Sequence, residues 1–191
     1  MIPTSCRRFS QGIALLVLLA FWPGCTRSLH PLFTEKDLTF DAQLLGTWVE
    51  EEGKESWTLR ESGDKAYELT SRDEKKTVKY DAHLVRLGKF LFLDLYPKDV
   101  DEDIAVPAHL FFRVRRTGDT VQVAGLDESW LKKMAADKKV SIAHVRVPAR
   151  NGGASEGGIF LTAPTKDLQE FVLKYAETKE AFSPAELHRR K

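Results

Sequence analysis

Cysteine is scarce: the 191 residues contain two, Cys6 and Cys25, both near the start. No disulfide can therefore staple the chain beyond residue 25, and its fold has to rest on a core. Charge of one sign is lacking as well. The 29 Lys and Arg, Arg7 and Arg8 among them, stand against 28 Asp and Glu for a formal net charge of +1. Nothing in that balance attracts nucleic acid, and none is expected as a partner. The uninterrupted apolar run at residues 13–22 is about half of the roughly 18–20 residues that a membrane-spanning helix needs. No internal repeat points to a solenoid. His30, His83, His109, His144 and His188 lack the close spacing of a zinc site, so no metal and no other cofactor is expected.

The 42% hydrophobic, 30% charged and 10% aromatic composition is that of a folded domain. At the start, Arg7 and Arg8 precede the apolar run, and Pro23 and Gly24 break it just before Cys25. A basic start, a short apolar core and a break are the parts of a secretory leader. Ending on a small residue followed by cysteine, this stretch resembles a bacterial lipoprotein precursor. The resemblance implies removal of residues 1–24 and lipidation of Cys25. It further implies anchoring in the cell envelope, with the outer membrane favoured where there are two, because Thr26 is not Asp. Cys25 would then be the one thiol of the mature chain, inert once acylated. Residues 25–41 are expected to form a lipidated tether or, given Leu32, Phe33, Leu38 and Phe40, to pack back on the domain. Residues 28–49 are also similar to the start of uncharacterised bacterial lipoproteins, which implies no activity.

Residues 42–191 read as one domain. Between residues 46 and 123, short segments of period two alternate with charged or glycine-containing turns, as in an antiparallel meander. Val78, Tyr80, Ala82 and Leu84 share one face of a strand; Leu110, Phe112 and Val114 share one face of another. Asp127 caps a helix with Trp130, Leu131 and Met134 at helical spacing, and Thr165 opens a second with Leu168, Phe171, Val172 and Tyr175. Residues 183–186, Ser-Pro-Ala-Glu, have the capping-box spacing, which predicts a short third helix running to the basic end. Such a meander hides its apolar face by curling into a barrel. The expected class is mainly β with two to three accessory helices in the C-terminal half. Gly46-Thr47-Trp48 resembles the Gly-x-Trp signature of lipocalins, which implies a barrel of eight strands closed at one end by the tryptophan.

Trp48, Trp57, Phe90, Phe92 and Phe112 are the candidates for lining an apolar cavity, ordinary core being the competing role for each. Residues 153–157 match Gly-x-Ser-x-Gly, with Asp167 and His188 following in hydrolase order. The surroundings are a glycine-rich loop instead of a strand-to-helix elbow, so no catalytic residue is expected. Asp99, Asp101 and Asp103 alternate as calcium ligands do, but Ile104 and Leu110 replace the glycine and the closing Glu of that pattern. The expected function is therefore that of a non-enzymatic, membrane-tethered protein. It would bind a small apolar molecule or support an envelope assembly, the alternatives being a hydrolase using Ser155 and a purely protein-binding scaffold.

Overall fold

In the computed structural model, residues 26–51, 53–98, 107–147 and 158–190 are described. Seven strands follow one another as an up-and-down meander: β3 (Gly46–Val49), β4 (Ser56–Glu61), β5 (Ala66–Arg72), β6 (Thr77–Leu87), β7 (Phe90–Pro97), β8 (His109–Thr117) and β9 (Thr120–Gly125). The eighth, β12 (Ala185–Arg189), inserts antiparallel between β9 and β3 and closes the barrel. The fold is thus mainly β, an antiparallel eight-stranded closed barrel, with two helices in its C-terminal half, α1 (Glu128–Ala136) and α2 (Thr165–Tyr175).

The third helix expected after Ser183 is absent: those residues form β12. The capping-box spacing is local, whereas two unpaired strand edges wait on either side of this segment. Tertiary pairing of residues 185–189 satisfies both edges and overrides the local signal.

Period-two alternation divides the apolar residues between two cores. Trp48, Trp57, Leu59, Tyr67, Leu69, Ala82, Leu84, Leu93, Leu95, Phe112, Val114, Val121, Val123 and Leu187 fill the barrel. The outward residues of β6 to β9, including Val85, Phe92, Phe111 and Ala124, pack under both helices with Leu131, Leu168, Phe171, Val172 and Phe182. The helices therefore cover one outer wall and leave both barrel ends free of them.

Residues 26–41 are built into the domain. β1 (Arg27–Ser28) pairs antiparallel with β8 and parallel with β11 (Gly158–Leu161), and β10 (His144–Val147) adds to β11. Thr26 is buried and donates its backbone and side-chain hydrogens to the Leu126 carbonyl. The chain then crosses the outer wall, contributes β2 (Leu38–Thr39) to β6, and enters a 3-10 turn at Ala42–Leu44 under the barrel. Among the described residues, no helix is long and apolar enough to cross a membrane.

Candidate functional site: the open end of the barrel

The two barrel ends differ. At the end bearing the start of β3, Trp48 is buried and donates its indole N–H to the Leu44 carbonyl at 2.8 Å. The Arg189 guanidinium lies 4.3 Å from the Trp48 ring centre and donates to the Leu45 and Gln43 carbonyls. Gly46, at φ +116°, makes room for it, since a Cβ there would lie 2.8 Å from Nη1 of Arg189. Tyr67 adds a stacked pair with Phe40, and burial pushes its phenol up to about 12. Aromatic rings, a cation over their face and three main-chain carbonyls seal this end.

The opposite end, where β4 and β6 begin and β5 and β7 finish, holds a cavity of about 260 Å³. Trp57, Leu69, Leu95 and Phe112 form its floor, with Val78, Tyr80 and Leu110 along its walls. The Trp57 and Phe112 rings meet edge to face at 5.2 Å, so neither can tilt without disturbing the other. Glu55, Ser71, Asp73 and Lys76 form a polar rim. Glu55 Oε1 accepts from the Trp57 indole N–H at 3.0 Å and from the Ser71 hydroxyl at 3.2 Å, which ties rim to floor. Asp73 caps its own turn through the backbone N–H groups of Lys75 and Lys76, which holds its carboxyl below the usual range. An apolar floor with a few convergent polar groups above it is the form of a small-molecule site, though this one is smaller than the roughly 300–1,000 Å³ common for drug-sized ligands.

Of the residues singled out for a cavity, Trp57 and Phe112 line this one, while Trp48 lies inside the barrel at the sealed end. Phe90 and Phe92 face the outer core instead. The parity of β7 places Leu91, Leu93 and Leu95 inward, so its phenylalanines project toward α2 and Phe182. Alternation pointed to Val78, Tyr80 and Leu110 as inward residues, yet Leu69 and Leu95 carried no distinguishing signal. Cys25, Ser155, Asp99, Asp101 and Asp103 lie outside the described residues. Asp167 is exposed in the first turn of α2, and Nδ1 of His188 on β12 meets Thr120 Oγ1 at 3.3 Å. Among the described residues no group of three or more His, Cys, Asp or Glu could hold a metal ion.

A second concavity lies on the outer wall of β3 to β6 and is lined by Thr47, Thr58, Thr70, Arg60, Arg72 and Lys79 among others. It has no apolar floor. The outer wall also carries Asp94, 1% exposed, which accepts from the Leu32 backbone N–H at 2.8 Å and lies 2.7 Å from Nδ1 of His109. His83 is the Cα partner of Asp94 and packs against the Phe33 ring, tilted at 35° with ring centres 4.6 Å apart. Burial pushes its imidazole below the usual value of 6.5, against the pull of Asp94 and Asp81 and with a smaller push from His109. Below pH 6.5 the unfolded chain therefore takes up a proton that folded His83 resists. Stability should fall with decreasing pH, by at most about 1.4 kcal/mol per pH unit, until folded His83 itself titrates. Thermal melts at pH 7 and pH 5 should show a smaller difference for His83→Gln than for the parent; equal differences would assign the effect to other groups.

Compared with protein-family models, curated proteins and solved structures, the chain gives no match.

Proposed function

We propose that the protein is a membrane-tethered, non-enzymatic lipoprotein of the bacterial cell envelope whose barrel accepts a small apolar group at its open end. The cavity over Trp57 and Phe112 carries the binding half of this reading, because an apolar hollow ringed by Glu55, Ser71, Asp73 and Lys76 suits a short chain with a polar head. The tether rests on the leader and on Gly24-Cys25. Size limits the occupant, since the barrel below the floor is filled by Tyr67, Trp48 and their neighbours. A whole membrane lipid does not fit, but the end of a chain or one small ring does.

Titration of the purified protein with octanoate should give a saturable change in tryptophan emission, with Trp57 as reporter. Val78→Trp, which fills the wall without touching the sealed end, should weaken binding about tenfold, equivalent to about 1.4 kcal/mol. Absence of saturation for octanoate and for octanol at millimolar concentration would instead support the scaffold reading. That second reading is favoured by one observation, the side-chain filling of most of the barrel interior.

A further inference from the structure

The inner face of the barrel does not stop at its rim. Leu110, an inward residue of β8, has Arg27 as its Cα partner; Arg27 is opposite Phe160, and Phe160 opposite Val145. Directly opposed residues project from the same side of a sheet. The face that lines the barrel thus continues outward over a flap made of β1, β11 and β10. The other face of the flap is covered, since Ile159 and Leu161 belong to the core beneath the helices.

The continued face is bare among the described residues. Val145 is 51% exposed, Val147 45% and Leu29, just after β1, 44%. These are the three most exposed of the large hydrophobic residues that reach solvent in the described structure. Phe160 is half-buried and packs in neither core, and Val147 stands opposite Gly158, which has no side chain to shield it. Scattered exposed apolar residues are ordinary, but a contiguous strip leading to an open cavity marks a contact surface.

We propose that this flap face rests on a lipid bilayer, with Leu29, Val145, Val147 and Phe160 set among the headgroups and the barrel mouth opening beside them. The proposal deepens the function above and rests on its anchoring at Cys25. Where the remaining chain ends selects lipid over a second copy of the protein. Thr26 is fixed to Leu126, and Arg27 already lies in the strip, so Thr26 alone separates Cys25 from the strip, a span of at most about 7 Å. Acyl chains on that sulfur start at the edge of the strip, with no tether to hold it away from the membrane. Charge agrees: Arg27, exposed within the strip, suits phosphate headgroups.

The test uses the full gene product, processed in a bacterium and purified from membranes, with Val145→Cys on the flap or Arg60→Cys on the far wall. Each new thiol carries a polarity-sensitive dye, and the protein is bound to vesicles of phosphatidylethanolamine and phosphatidylglycerol containing doxyl-labelled lipid. Both positions are solvent-exposed, so folding should be unaffected, which a thermal melt checks. Emission at position 145 should shift to the blue and be quenched at least threefold more than at position 60. Acylated, vesicle-bound protein with equal quenching at both positions overturns the inference and leaves the anchoring intact. An intact mass without acyl chains overturns both. A dye at position 145 that is shielded without vesicles, in protein with the mass of a dimer, shows a second copy in place of lipid and also overturns it.

Discussion

A chain cut after residue 184 should fail to fold. It lacks β12, which makes four cross-strand pairs with β9 and two with β3. At about 1 kcal/mol net for each ladder hydrogen bond, losing these pairs costs several kcal/mol. Leu187 leaves the barrel core, for roughly another 2–5 kcal/mol. Arg189 withdraws from the Trp48 ring and from the Leu45 and Gln43 carbonyls, which opens the sealed end. The sum approaches the whole stability of a typical domain, about 5–15 kcal/mol. Circular dichroism of the truncated chain should show no cooperative melt. Leu187→Ala, which keeps the backbone ladder, should still melt cooperatively at reduced temperature; a truncated chain that melts like the parent would show that the barrel does not need its eighth strand.

Asp94→Ala should cost about 3 kcal/mol, because it orphans groups on two other segments at once. The Leu32 backbone N–H loses its acceptor in a fully buried position, and Nδ1 of His109 loses its partner. Each unsatisfied buried group costs about 1–3 kcal/mol. For a chain of this size the melting temperature should fall by roughly 6–12 °C. Asp94→Asn keeps an oxygen for Leu32 and the original shape, so it should lose less. Hydrogen exchange adds a local reading: the Leu32 amide should be unprotected in Asp94→Ala and protected in the parent. A drop in melting temperature without that local opening would place the role of Asp94 elsewhere.

The meander was legible because most of its strands have one apolar and one polar face, as in Ala66–Arg72 and the first half of Thr77–Leu87. β7 was harder. Phe90 to Leu95 is apolar at every position but Asp94, since it separates two cores, and alternation cannot tell the faces of such a strand apart. That is why Phe90 and Phe92 read as well for a cavity as Leu93 and Leu95. β12 was hidden by a stronger local signal, and Arg189 with it. β1, two residues long, exists only because β8 and β11 offer edges to it, and two residues carry no period. The cavity was half visible: the inward parity of Val78, Tyr80 and Leu110 followed from spacing, whereas the rim of Glu55, Ser71 and Lys76, just before β4, on β5 and just before β6, depends on the register of those three strands, which spacing alone does not give.

The seating of β1 between β8 and β11 also sets an order of events during synthesis. Arg27 and Ser28 need residues 109–110 and 160–161 as neighbours, so the first strand of the described structure waits for nearly the last. Contacts this distant in sequence close slowly. Throughout that delay Thr26 lacks the Leu126 carbonyl it will bind, and zipping of the final strands then buries it.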